Sequence, residues 1–369
     1  MPIYWSMLVI TCLCGVISYV TNKKEDVLES HTVYRTRSGF AIFNIAYIVF
    51  FISLRDKVMD THSYIGAFQN TPNEWSEMIQ MVSESRDGKL FYLLQGVFKV
   101  FISEDYRLWL TFLCVVSCMF LFRTLYKYSV DFPLTMYLFI THTTFTWLLN
   151  GTRQFLVVCI LFGFVDWLIE GKKIQYSILI IILSFVHLSV IFILPVIFFA
   201  SSQKILDRKI LMFAILTIIG IRYSELVFHL LDVMLESAYT ESLLKGDGSS
   251  IIRVVVSAIP VAIVLVSKNY VQKQASPSII LAINMSFIGI CFFVAATFTN
   301  GILVGRMPIY FTVYNLYLLP WLIKECFNRE SKKIAWISCA ALYFIYFYYQ
   351  MVIAWGGLRY VSETLNINF

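Results

Sequence analysis

This 369-residue chain is short of charge. Asp, Glu, Lys and Arg make up 14% of it, where a soluble domain carries roughly a quarter. That scarcity excludes an ordinary water-soluble globule, and the composition agrees: 59% of residues are hydrophobic and the mean hydropathy is +0.74. No stretch reads as a soluble domain, a low-complexity linker or an internal repeat, so residues 1–369 are expected to form a single integral membrane domain. The eight cysteines form no CxxC and no Cys/His cluster of metal spacing, and nearly all sit inside apolar runs, where thiols act as small hydrophobes. No metal and no cofactor is expected. The first run, "PIYWSMLVITCLCGVISYV", has no basic residue before it and no small-residue cleavage site after it; it reads as a retained first span, not a cleaved signal. The net charge of +6 sits in short loops between spans, which gives no reason to expect nucleic acid as a partner.

Apolar runs of about 15–21 residues recur along the chain, close to what a ~30 Å hydrocarbon core requires. They predict an all-α, polytopic transmembrane helix bundle with about 10–12 membrane segments. Short Lys/Arg-rich loops mark the cytoplasmic side: 21–39 (Lys23, Lys24, Arg35, Arg37), 123–132, 170–173, 201–209, 268–278 and 324–333. The expected spans are 2–20, 40–54, 107–122, 133–149, 155–169, 210–221, 254–267, 279–299, 307–323 and 334–354, with both termini outside. Loops 170–173 and 201–209 both read as cytoplasmic, so 174–200 must enter and return. It is too short for two full spans at about 1.5 Å per residue, and a short hairpin turning near "VHLS" is expected. Residues 55–106 and 222–253 are long extracytoplasmic loops. Within the first, "KLFYLLQGVFKVFIS" (89–103) suits an interfacial or re-entrant helix, since it carries Lys89 and Lys99.

Certain polar residues do not belong in an inert membrane scaffold. Arg153 and Gln154 open the span that descends to "EGKK", just after Asn150. Reflecting positions about the turn at 171–172 puts His187 level with Leu156, one helical turn from Arg153. If the two legs pack as neighbours, Asn150, Arg153, Gln154, His187 and Ser189 share one outward-facing pocket. A terminal arginine also snorkels to head-group phosphate, and an intramembrane histidine also hydrogen-bonds a neighbouring helix. Both at matched depth, where each is costly in lipid, make a functional pair. In "SLRDKVMDTHSYIGAF", Arg55 and Asp56 leave a span, and Asp60, His62 and Tyr64 follow. On a helix Asp56 and Asp60 would face the same way, able to bind sugar hydroxyls or a divalent cation. In "NGILVGRMPIYFTVY", Arg306 follows a Gly-punctuated turn, and Tyr310 follows it.

These motifs together are similar to the EpsG family of bacterial polysaccharide-synthesis proteins. "LLNGTRQFLVVCILFGFVDWLIEGKKIQYSILIIILSFVHLSVIFILPVIFF" resembles its asparagine-containing turn, the Arg-Gln that opens a helix, the short basic turn and the following His-x-Ser. Arg55, Asp60, Tyr64 and Phe68 match its early Arg…Asp…Tyr…Phe pattern, without the glycine that usually separates the first two. Arg306 and Tyr310 match its late Arg and Tyr. The resemblance implies a glycosyltransferase C-like architecture and a Wzy-type polymerase in the bacterial cytoplasmic (inner) membrane. Such an enzyme joins undecaprenyl-diphosphate-linked oligosaccharide repeat units into O-antigen or a related surface polysaccharide, its active site facing the periplasm. Partners would be that lipid-linked oligosaccharide, membrane lipids and a chain-length regulator. Arginine's planar fork suits a diphosphate leaving group. Arg153 and Arg306 are therefore expected to hold it, and His187 to take the acceptor's proton, with Asp60 in reserve. Arg55, Asn150, Gln154, Tyr64, Ser189 and Tyr310 are expected to bind substrate. No Asp-x-Asp motif stands on the cytoplasmic side, which speaks against metal-dependent sugar-nucleotide chemistry. The rival readings are an O-antigen ligase and a non-enzymatic flippase or transporter of lipid-linked oligosaccharide.

Overall fold

The apolar runs fold as helices, and the first turns of several are capped by short polar side chains. Asp105 accepts the Arg107 amide, Asp131 that of Leu134, and Asp207 those of Lys209 and Ile210. Each fills donors that a helix leaves without partners at its start. The structure, a computed structural model, describes residues 1–21, 25–28, 31–34, 38–85, 87–201, 204–235 and 248–368. Lys23, Lys24, Arg35 and Arg37, and the middle of the 222–253 loop, lie outside the described residues. Contacts divide the chain into two compact units: Met1–Leu168, Lys172–Ile193 and Arg329–Phe369 form one, Ile169–Gly171 and Leu194–Asn328 the other.

The protein is a polytopic helical membrane protein. Among the described residues, four helices are long and apolar enough to cross a membrane: Pro2–Thr21, Tyr106–Tyr128, Pro277–Phe298 and Arg329–Ala354. Two further pairs qualify only as bent spans, Arg208–Arg222 with Ser224–Leu230 at 85° and Ile251–Val266 with Lys268–Gln274 at 87°. The remaining apolar helices have 10–17 residues. The 174–200 stretch is two such short pieces, Lys173–Ser184 and Leu188–Ala200, interrupted near the residues where the sequence puts its turn.

In the first unit the helices are α1 (Pro2–Thr21), α2 (Ser38–Ser53), α3 (Thr61–Gln69), α4 (Trp75–Glu84), α5 (Lys89–Phe101), α6 (Tyr106–Tyr128), α7 (Phe132–Thr141), α8 (Thr152–Gly163), α9 (Val165–Ile169) and α10 (Lys173–Ser184). The last helix, Arg329–Tyr348, also belongs here. The small strand pairs Glu25–Leu28 with His31–Tyr34, and Val361–Ser362 with Ile367–Asn368, are both antiparallel. In α1 the Thr11 hydroxyl donates to Asn44 Oδ1 of α2 at 3.0 Å, a buried polar tie of the kind that joins helices where both are apolar. Tyr137 of α7 donates to the Ala340 carbonyl of the last helix.

Segment 55–106 holds α3, α4 and α5, the last on the 89–103 stretch expected to be helical. Some of its polar side chains serve its packing. Lys99 donates to the Gln69 and Thr71 carbonyls at the end of α3, where a cation also meets the negative end of the helix. Gln95, fully buried, donates to Thr71 and Ala67. Phe68 stacks on Trp109 of α6. Likewise, a helix, Ser224–Leu235, continues into the expected 222–253 loop.

The second unit gathers around Pro277–Phe298, which Arg208–Arg222, Ile251–Val266 and Asn315–Cys326 pack against. Asn284, fully buried, donates to the Ala200 and Lys204 carbonyls and accepts the Leu206 amide. One side chain thereby holds a turn in which Leu206 has φ +48°.

Helices α6 and α8 pack closely at Gly163. Arg123 donates to its carbonyl and Thr124 to that of Phe162, each at 3.1 Å. These side chains fill acceptors that α8 leaves open at its C-terminus. A Cβ at Gly163 would overlap the Phe120 ring. Gly163→Val is therefore expected to destabilise the protein by about 1–3 kcal/mol, read as a lower melting temperature in detergent; an unchanged melting temperature would show that the helices separate freely there.

Candidate functional site

The start of α8 is the point on which the candidate residues converge. Gly151 precedes it with φ +75°, a left-handed conformation that glycine adopts without steric cost. A Cβ there would also press on the Trp147 ring at 3.2 Å. The Asn-Gly pair is thus the turn that lets α8 begin. Three residues of the early motif meet three successive positions, Gly151 to Arg153. Asp60 Oδ2 accepts the Gly151 amide at 2.8 Å. The Arg55 guanidinium donates from Nη2 to the Thr152 hydroxyl at 3.2 Å. The Tyr64 hydroxyl accepts the Arg153 amide at 3.2 Å.

Arg55 is only 1% exposed. Its Nε donates to Thr61 Oγ1 at 2.8 Å and its Nη1 to the Ile52 carbonyl at 2.6 Å. Burial leaves its pKa below the ordinary range, and neighbours including Cys114, Asp60 and Tyr64 offset only part of that. Asp56 does not share a helix face with Asp60. Residues 54–60 are not helical, and Met59 has φ +53°, so the two carboxylates diverge. Asp56 turns to the C-terminal segment, accepting the Glu363 amide at 2.7 Å and the Tyr106 hydroxyl at 2.5 Å. Its own amide donates to the Val361 carbonyl.

Arg153 lies in the first turn of α8, where a cation faces the positive end of the helix dipole and costs about 0.3–1 kcal/mol. Its compensation comes from Asp87, a residue with no motif to announce it beyond an Asp-Gly turn signal. Arg153 Nη2 donates to Asp87 Oδ2 at 2.7 Å, and the arginine side chain is 20% exposed. The guanidinium also lies 5.8 Å from the centre of the Phe91 ring, in the range of a cation–π contact. The other oxygen of Asp87 accepts the Leu188 amide at 3.2 Å. Phe185 accepts the Leu90 amide at 2.8 Å. Gly88, at φ +77°, leaves room for Arg153, because a Cβ there would collide with Nη1.

One carboxylate therefore joins Arg153 to the backbone beside His187. That histidine is extended (φ −151°, ψ 114°), and it ends the break after α10 and starts the turn Leu188–Phe192. His187 and Ser189 are half-buried, Gln154 is 1% exposed within α8, and Asn150 donates its amide to the Thr146 carbonyl. Arg306 and Tyr310 belong to the second unit. Arg306 is exposed at the end of the short turn Val304–Arg306, and Tyr310 is 5% exposed in Ile309–Thr312. Asn300 holds their loop by accepting the Ile302 and Leu303 amides.

The arrangement offers a partly exposed arginine fork, a carboxylate that ties it to the backbone next to His187, and a frame of buried Arg55 with half-buried Asp60 and Tyr64 at the start of α8. The model of the EpsG family matches residues 40–361. No curated protein and no solved structure matches the chain.

Removing Asp60 leaves the Arg55 charge buried with less compensation. Asp60→Ala is expected to cost about 3 kcal/mol, and Arg55→Met combined with it should restore a large part of the loss, measured by unfolding in detergent. If the double variant is less stable than the single one, Arg55 is not held by Asp60.

Proposed function

Because the chain belongs to the EpsG family, whose membership points to a polymerase-type glycosyltransferase of the membrane, we propose that it polymerises undecaprenyl-diphosphate-linked oligosaccharide repeat units on the periplasmic face of the bacterial inner membrane. The product is O-antigen or a related surface polysaccharide. The observation that carries this reading is the bridge through Asp87: a cation suited to a diphosphate and the backbone next to an imidazole are held by the two oxygens of one side chain.

In the reaction the acceptor hydroxyl attacks the anomeric carbon of the growing chain. A new C–O bond forms, the bond to the diphosphate breaks, and undecaprenyl diphosphate leaves. Arg153 meets the charge that develops on the leaving group; a donor fixed in advance at such a point is among the largest catalytic effects. In the absence of substrate Asp87 occupies part of the fork and keeps it aimed. A diphosphate oxygen then replaces or joins the carboxylate without the side chain having to be reorganised. His187 takes the proton of the attacking hydroxyl, since imidazole exchanges protons near neutral pH. Asp60 and Tyr64 hold the backbone of the turn that carries Arg153, and Gln154, Asn150 and Ser189 orient sugar or phosphate. Arg306 and Tyr310 keep the substrate-binding role that their family match implies.

The test is polymer length in a deletion strain complemented with each variant, backed by polymerisation of a synthetic lipid-linked unit by purified protein. Arg153→Ala and His187→Ala are each expected to cut the rate about 100-fold or more, and Arg153→Lys to recover only part. Wild-type-length chains from both alanine variants would remove these residues from the chemistry. Full-length polymer held on undecaprenyl in the deletion strain would indicate a ligase instead.

A further inference from the structure

A groove with an almost wholly apolar lining runs between α2 and α6, with a cavity of about 780 Å³. Its wall follows α2 from Ser38 to Leu54, about 24 Å at 1.5 Å per residue and so most of the ~30 Å thickness of a hydrocarbon core. Side chains open to the outside, Ile42 and Phe50 of α2 and Val115 and Met119 of α6, form its rims, while Ala41 and Ala46 leave its floor low. One end is walled by Tyr126 and Phe132, whose rings meet edge to face at 5.1 Å. The other end reaches Ser53 and Leu54. The next residue is Arg55, whose guanidinium bonds Thr152 beside Arg153.

We propose that this groove binds the isoprenoid tail of the lipid-linked substrate, an inference that rests on the function proposed above. Continuity selects the occupant. A chain lying between α2 and α6 would leave the groove at Leu54, one residue before Arg55, whose buried guanidinium reaches Thr152 at the start of α8; its diphosphate would thereby be carried toward Arg153. Between the groove's ends the wall is apolar apart from the Cys118 thiol, as a hydrocarbon tail requires, and Arg123 lines it beside Tyr126.

Full-length purified protein tests this by equilibrium binding of undecaprenyl phosphate in detergent, so the readout is independent of sugar transfer. A groove that holds no tail and a protein that joins no sugars are thereby separate results. Ala46→Trp raises the floor and is expected to weaken binding about tenfold, whereas Phe43→Trp, on the lipid-facing side of α2 away from the groove, should change it less than about twofold. Phosphatidylglycerol and farnesyl phosphate should each compete at least about tenfold more weakly than undecaprenyl phosphate. A photoreactive undecaprenyl phosphate on the wild-type protein should label residues 38–54 and 111–126, which needs no variant to fold. Unchanged binding by a folded Ala46→Trp, equal competition by phosphatidylglycerol, or labelling confined to other helices would overturn the proposal.

Discussion

A buried guanidinium organises the first unit. Arg55, withdrawn from water at the end of α2, must satisfy its donors within the protein, because an uncompensated buried charge costs several kcal/mol. It does so with the Ile52 carbonyl behind it, Thr61 at the head of α3 and Thr152 at the head of α8. Three elements, two consecutive in sequence and the third 97 residues on, are pinned to one planar group. Asp60 lies near enough to stabilise that charge and also accepts the Gly151 amide, so a carboxylate sits where the positive end of α8 favours one. The turn before α8 is rigid for these reasons, and Arg153 inherits that rigidity.

Arg153 itself works against local stability. A basic residue at the first turn opposes the helix dipole, and in lipid it would be expensive. Asp87 offsets both effects while tying the break after α10 to the same spot. The interruption between Lys173–Ser184 and Leu188–Ala200 leaves backbone groups that a membrane could not satisfy. Phe185 and Leu188 find their partners at Leu90 and Asp87 instead. Charge compensation and backbone satisfaction are met by the same short segment, residues 87–90.

The candidate residues were legible where their type was out of place: an arginine and a glutamine at the mouth of an apolar run, a histidine within another, an Arg…Asp…Tyr string at the end of a third. The break near His187 was legible from loop charges and chain length alone. Asp87 was not, since one acid beside a glycine in a polar segment looks like any solvated turn. The shared helix face expected of Asp56 and Asp60 failed because Met59 takes φ +53° and the C-terminal segment captures Asp56 by hydrogen bonds. No periodicity in residues 54–60 could announce a partner three hundred positions away. Within 55–106, Lys89 and Lys99 marked 89–103 as a helix distinct from the spans, and α5 lies there; that Lys99 would meet the carbonyls ending α3 was not legible.

By itself the amino-acid order determined the class of molecule, a chain of apolar helices with its scarce charges at their ends, because continuous apolar runs of that length satisfy their backbone in hydrocarbon as helices. It also determined the family, through residue types repeated in order. Which charge meets which was decided only in three dimensions. Salt bridges and hydrogen bonds depend on distance in space, and Arg55 with Thr152, Asp60 with Gly151, and Asp87 with both Arg153 and Leu188 are separated by stretches of chain that local propensity does not span.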